Sequence, residues 1–121
     1  MTAEHPPDWF RRPVLEEVGD ERERQDAKWG EQNHPDGTGP LVRWVTPSLD
    51  ATMAAWVREA RYRCESRTRR GVVTYLDILA EEFFEAAAEA DKARLREELI
   101  QVAAVAVAWV EKLDREAVLQ A

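Results

Sequence analysis

Two acidic segments near the C-terminus constrain the fold more than any other feature of the chain. Residues 81–85 and 97–101 each place oxygen-bearing side chains three residues apart, which sets them on one side of a helix. Both segments lie within apolar stretches, where an unpaired carboxylate is costly to bury. If these carboxylates face each other across two helices, they require a cation.

Length, charge and cysteine content limit the class of protein. A chain of 121 residues is long enough for one domain with a core, and its net charge of −7 argues against stable nucleic-acid binding. The only cysteine, Cys64, excludes an intrachain disulfide and agrees with a reducing compartment. The longest apolar run, residues 102–110, is too short to span a bilayer. We therefore expect a cytoplasmic protein that does not cross a membrane.

Turn-forming and capping residues divide the chain into four predicted helices, with no convincing strand. Gly30 and Gly71 are expected to end the first and second helices, and Ser48, Thr74 and Asp91 to cap the second, third and fourth. The expected helices cover residues 14–28, 48–70, 75–90 and 92–119. The pattern therefore predicts an all-α fold, with residues 1–13 as a flexible N-terminal arm and residues 14–121 as a single domain.

Helical-wheel positions separate the glutamates of the third predicted helix. At about 100° per residue, Leu79 and Phe83 mark the expected core-facing centre. Glu82 lies about 60° from Leu79, and Glu85 lies just beyond it. Glu81 falls about 160° away, on the side nearer to solvent.

Helical-wheel positions also separate the polar side chains of the fourth predicted helix. Glu98 and Gln101 share one margin of its apolar face, whereas Glu97 points outward. The wheels therefore select a group pressed into the helix bundle, and this group comprises Glu82, Glu85, Glu98 and Gln101. Hard oxygen ligands suit Mg²⁺ or Mn²⁺ better than zinc. The alternative is that these glutamates form salt bridges with Lys92, Arg94 or the arginines of the second helix.

The spacing resembles that of a known family. Glu82-x-x-Glu85 followed by Glu98-x-x-Gln101 is similar to the pattern of the MazG-like all-α nucleoside triphosphate pyrophosphohydrolases, which is Glu-x-x-Glu on one helix and Glu-x-x-Asp on the next. The resemblance covers residues 72–114, and residues 23–34 resemble the start of a small bacterial and phage subgroup. It implies a four-helix-type bundle that hydrolyses nucleoside or deoxynucleoside triphosphates between the α- and β-phosphates.

The resemblance also implies roles for individual residues. Glu82, Glu85 and Glu98 would bind Mg²⁺, and Glu81 would act with Glu82 in catalysis by assisting a second ion or orienting the attacking water. Gln101 departs from the family pattern, because its amide can ligate a metal but brings no charge and cannot act as a base. A metal- or nucleotide-binding module with weakened catalysis, and a structural helical interaction protein, therefore stand as alternatives.

Two further expectations concern partners. Trp29, Gln32 and His34 are candidates for a nucleobase or ribose pocket, while Lys28 and the six arginines of residues 58–70 are candidate phosphate contacts. Arg94 is a further candidate for substrate binding. The alternative for His34 is an exposed loop side chain. Residues 99–110 are apolar nearly all round, so they need cover on several sides. We therefore expect a homodimer, or a dimer doubled to a tetramer.

Overall fold

The structure is a computed structural model that describes residues 11–31, 34, 38–46 and 49–120, with only the backbone of residues 44–46. The described elements are α1 (Arg11–Trp29), β1 (Arg43–Thr46), β2 (Leu49–Thr52), α2 (Met53–Arg69), α3 (Tyr75–Ala87) and α4 (Lys92–Gln120). Four helices account for most of the described chain, which confirms the all-α class.

Contacts within the chain define two units. The first comprises α1 with the chain up to His34 and the part of α4 from Val107 onward, and the second comprises residues 35–106. The single domain expected for residues 14–121 stays a prediction, since α4 runs without interruption through both units.

Local capping chemistry sets the helix ends where the sequence predicted them. Gly30 and Gly71 both adopt φ of 70°, a left-handed conformation that favours glycine, directly after α1 and after the C-cap of α2. Thr74 forms a capping box, in which its side chain accepts from the Asp77 amide at 3.2 Å and Asp77 accepts from the Thr74 amide at 3.0 Å. Asp91 caps α4 by accepting from the Arg94 amide at 2.9 Å. These four helix-boundary predictions are confirmed.

A hairpin replaces the start that was predicted for the second helix. β1 and β2 pair antiparallel, with Arg43 opposite Thr52, and Arg43 donates to Asp50 at 2.7 Å. The prediction of no strand was therefore wrong, and so was the N-cap at Ser48, because Thr52 caps α2 by accepting from Ala55 at 3.2 Å. Residues 43–46 contain β-branched and aromatic side chains that favour a strand.

Two other helix ends differ from the prediction. α1 begins at Arg11, so residues 11–13 of the expected arm are helical, and Pro13 is tolerated because it lies in the first turn. Residues 1–10 lie outside the described residues. α3 ends at Ala87, earlier than expected, because Ala88 forms its C-cap.

The core of the second unit forms where α2 packs against α3. Met53, Val57 and Cys64 of α2 are buried, together with Ala86 of α3 and Leu95 of α4. The rings of Trp56 and Phe84 stack with centroids 5.1 Å apart and an interplanar angle of 8°. Stacked aromatic rings fix the register of two helices in addition to burying apolar area.

A buried carboxylate links the same two helices. Asp77 is 3% exposed and accepts from Arg63 at 2.8 Å and from Arg67 at 2.6 Å. The hydrogen bond from Arg63 contributes most to holding the pKa of Asp77 well below its usual range, and Arg67 lowers it further against the opposing effect of burial. Asp77 therefore serves both as a helix cap and as the anchor of two arginines from α2.

The first unit has a small buried region of its own. Val14 of α1 is 2% exposed, and Glu111 of α4 is 6% exposed. Nε of Arg11 donates to Oε1 of Glu111 at 3.0 Å, so the buried carboxylate has a charged partner.

Candidate functional site

Three of the predicted metal ligands come together in the second unit. Glu82 and Glu85 lie one turn apart on α3, and Glu98 lies in the second turn of α4. Each offers a carboxylate oxygen, and these oxygens all lie within 4.8 Å of one another. The short connection after α3, closed by the Asp91 cap, brings the start of α4 back beside the end of α3. We refer to Glu82, Glu85 and Glu98 as the glutamate cluster.

The environment of the cluster disfavours its negative charge. Burial raises the pKa of Glu82 above its ordinary value, and the charges of Glu85 and Glu98 raise it further. Burial also raises the pKa of Glu98, the charge of Glu85 adds to the effect, and Arg61 opposes it. A bound cation would relieve both the mutual repulsion and the cost of burial.

The spacing of the cluster fits a small hard cation. Octahedral Mg²⁺ holds oxygens at about 2.1 Å, which places neighbouring ligands about 3 Å apart and opposite ligands about 4.2 Å apart. The carboxylate oxygens of the glutamate cluster lie within 4.8 Å of one another, close to the separation of opposite ligands in this geometry. The donor set consists of carboxylates alone, which suits Mg²⁺ or Mn²⁺.

One cluster member is already paired with an arginine. Nε of Arg61 on α2 donates to Oε1 of Glu85 at 3.1 Å. This contact is part of the salt-bridge alternative that the sequence left open. Among the described residues, neither Lys92 nor Arg94 forms an ion pair with the cluster, and both side chains are exposed.

Gln101 and Glu81 do not lie where the helical wheels placed them. Gln101 is exposed one turn after Glu98, so the prediction that it is pressed into the bundle is wrong for this chain. Glu81 is half-buried beside Cys64 of α2, so the prediction that it faces solvent is also wrong. Burial raises the pKa of the Cys64 thiol to about 11, and Glu81 adds to the effect.

The physical reason for these corrections is the direction in which the helices pack. α3 contacts α2 through Asp77, Glu81 and Phe84, which lie on a different side of the helix from the expected centre at Leu79. Phe83 is 46% exposed. A helical wheel gives relative angles around a helix, but it does not give the position of the neighbouring helix.

The residues predicted for the base pocket, and Lys28 as a predicted phosphate contact, belong to the first unit. Lys28, Trp29 and His34 are exposed, and Nζ of Lys28 lies 4.6 Å from the centroid of the Trp29 ring. A cavity of about 600 Å³ is lined by His34 and Gly30 together with polar side chains of α1, which are Arg22, Gln25 and Asp26, and by Glu31. Gln32 lies outside the described residues.

The sequence did not predict that the arginines of α2 contact different carboxylates. The sequence groups the arginines of residues 58–70 together, yet Arg61 contacts the glutamate cluster while Arg63 and Arg67 contact Asp77. The role of Asp77 as a helix cap could have been predicted from the sequence, because Thr74-x-x-Asp77 has the spacing of a capping box. The choice of Arg61 had no such signal, since it depends on how α2 and α3 are aligned.

Comparisons with protein-family models, with curated proteins and with solved structures found no match to this chain. Among the described residues, no helix combines the length and the apolar character that crossing a bilayer requires.

Proposed function

We propose that the protein is a Mg²⁺-dependent nucleoside triphosphate pyrophosphohydrolase of the MazG-like all-α kind. The observation that carries the proposal is the meeting of Glu82, Glu85 and Glu98 within 4.8 Å across α3 and α4. The same three positions match the resemblance in the sequence, so the spacing along the chain and the spacing in space support the same ligand set.

The proposed reaction joins water to a nucleoside triphosphate or deoxynucleoside triphosphate. The bridging P–O bond between the α- and β-phosphates breaks, and the products are a nucleoside monophosphate and pyrophosphate. When bound, Mg²⁺ or Mn²⁺ supplies neutralisation of the phosphate charge and lowers the pKa of a coordinated water. Glu82, Glu85 and Glu98 would hold it, Gln101 would contribute an amide oxygen, and Glu81 would orient water beside Glu82.

We also propose that a second copy of the chain completes the fold as a homodimer. Four large apolar side chains of the second unit are between 46% and 62% exposed, and these are Leu76, Phe83, Leu99 and Ile100. Exposed side chains of this size on two helices favour a protein partner over free solvent. A dimer, or a tetramer built from it, would cover them and complete a four-helix-type bundle.

The test of catalysis is product analysis. Purified protein is incubated with Mg²⁺ and a panel of ribo- and deoxyribonucleoside triphosphates, and products are followed by ³¹P NMR. Pyrophosphate with a nucleoside monophosphate supports the proposal, whereas inorganic phosphate with a diphosphate would indicate a different cleavage site. Glu82→Gln should abolish the activity, and Glu97→Gln, an exposed neighbour of Glu98, serves as the matched control.

A second candidate is a metal- and nucleotide-binding module with little turnover. The observation that favours it is Gln101, an exposed neutral amide at the position where the pattern of the resembling family has aspartate. This candidate predicts that Mg²⁺ and nucleotide raise the melting temperature without product formation. Gln101→Asp should then create activity, because it restores a charged oxygen ligand one turn after Glu98.

A further inference from the structure

Arg61 of α2 forms an ion pair with the glutamate cluster. Its side chain is 54% exposed, whereas that of its partner Glu85 is 18% exposed. Its charge also acts on Glu98, so its field reaches a second member of the cluster. One guanidinium offsets only one of three carboxylate charges, which leaves the cluster with an excess of negative charge.

A divalent ion would compete with Arg61 for Glu85. An ion held by all three glutamates needs an oxygen of Glu85, and that carboxylate accepts a 3.1 Å hydrogen bond from Nε of Arg61. Two positive charges at such a short separation repel each other, and the ion carries the larger charge. Because the Arg61 side chain is long and half-exposed, it can leave Glu85 without disturbing the packing of α2.

A cavity beside the ion pair has room for a phosphate group that the displaced Arg61 side chain could contact. This cavity of about 310 Å³ is lined by Arg58 and Arg61 of α2, by Glu85 of α3 and by Glu89 in the connection after α3. Glu85 therefore belongs to both the cluster and the cavity. Guanidinium groups match pairs of phosphate oxygens through parallel N–H donors, so a phosphate held by the ion would meet two arginines here.

We propose that Arg61 holds Glu85 in the metal-free protein, is displaced by the divalent ion, and then binds a phosphate group of the nucleotide. The inference rests on the proposed function, because the ion and the phosphate are those of that reaction. It makes metal binding and phosphate binding mutually favourable, since the ion frees Arg61 for phosphate and phosphate draws Arg61 away from Glu85.

Mn²⁺ titration followed by electron paramagnetic resonance, without nucleotide, tests the competition. Arg61→Gln removes the competitor and should tighten Mn²⁺ binding by about five- to tenfold, at the low end of the usual coupling between two ligands. Arg69→Gln removes the same charge from an exposed position on α2 and should leave the affinity within about twofold, as expected for an exposed and screened charge. Arg61→Lys keeps the charge without the planar fork and should fall between wild type and Arg61→Gln.

Inorganic tripolyphosphate tests the second role, because it carries the phosphates of the substrate class without a base. Calorimetry in excess Mn²⁺ should show about tenfold weaker binding to Arg61→Gln, the loss expected for one charge-assisted hydrogen bond. The opposite signs of the two effects are the signature, since a purely structural role would weaken both. Unchanged or weaker Mn²⁺ binding by Arg61→Gln, or unchanged tripolyphosphate binding, overturns this inference alone. Absence of Mn²⁺ binding by the wild type overturns the proposed function as well.

Discussion

Glu82→Gln should stabilise the metal-free protein, although it removes a residue of the proposed site. Glu82 lies within 4.8 Å of the carboxylates of Glu85 and Glu98. At that distance each repulsion amounts to about 0.9 kcal/mol in bulk water and about 3.5 kcal/mol at an effective dielectric constant of about 20. Because the cluster is only half-buried and Arg61 offsets part of its charge, we take the lower limit and expect a gain of about 1 kcal/mol.

The assay is thermal unfolding followed by circular dichroism, with and without Mg²⁺. A gain of about 1 kcal/mol raises the melting temperature by roughly 3–6 °C in a chain of this size. Saturating Mg²⁺ should give the wild type the higher melting temperature of the two. The bound ion stabilises the wild type in proportion to the logarithm of the ratio of the Mg²⁺ concentration to Kd, and it has little effect on Glu82→Gln. Glu97→Gln is the control and should behave as the wild type under both conditions.

The pH dependence of the same variant provides an internal check. The pKa of Glu82 is raised in the folded protein above its ordinary value of 4.5, so the folded state binds more protons than the unfolded state between these two values. The destabilisation by the charge of Glu82 therefore appears as pH rises from the ordinary pKa to the raised pKa, and it is absent at lower pH. The advantage of Glu82→Gln should vanish under acid conditions. A variant that is less stable than wild type at neutral pH without metal would refute the reasoning.

Three further predictions concern other parts of the molecule. Asp77→Asn should lower the melting temperature at neutral pH. Because the pKa of Asp77 is depressed, the stabilisation from its charge is present above the ordinary value of 3.8 and is lost as pH falls below it, so the variant and the wild type should converge in acid. Asp20→Asn, at an exposed position, should change neither the melting temperature nor its pH dependence. Gln101→Asp should tighten Mn²⁺ binding by about threefold in calorimetry, since it adds one partly screened charge, and equal affinity would contradict its proposed place as a ligand. Ile100→Glu should convert the proposed dimer to a monomer in sedimentation velocity, while the circular dichroism spectrum stays unchanged, because Ile100 is 56% exposed in the single chain. A wild-type protein that sediments as a monomer at every concentration would contradict the proposed dimer itself.

The helix ends could be predicted from the sequence because local chemistry determines them. Gly30, Gly71, Thr74 and Asp91 act through their own conformation or through bonds to residues within one turn. The hairpin was missed because its strands are short and depend on pairing between residues three to nine positions apart, such as Arg43 and Thr52. Contacts of that kind leave little periodic signal in a single strand of four residues.

The candidate site could be predicted in part for a related reason. The grouping of Glu82 with Glu85 follows from one helical turn, and their meeting with Glu98 follows from the short connection before α4. The positions of Glu81 and Gln101 depend instead on which neighbour covers each side of the helix. That information lies in the stacking of Trp56 on Phe84 and in apolar surface that the single chain leaves exposed.

The measurement that tests the account most directly is the stoichiometry and affinity of Mn²⁺ binding by electron paramagnetic resonance, compared between the wild type, Glu82→Gln and Glu97→Gln. The wild type and Glu97→Gln should bind Mn²⁺ with the same affinity, and Glu82→Gln should weaken binding by at least about tenfold, because it removes one of three charged ligands. Equal Mn²⁺ affinity in the wild type and Glu82→Gln would contradict the claim that the glutamate cluster is a divalent metal site.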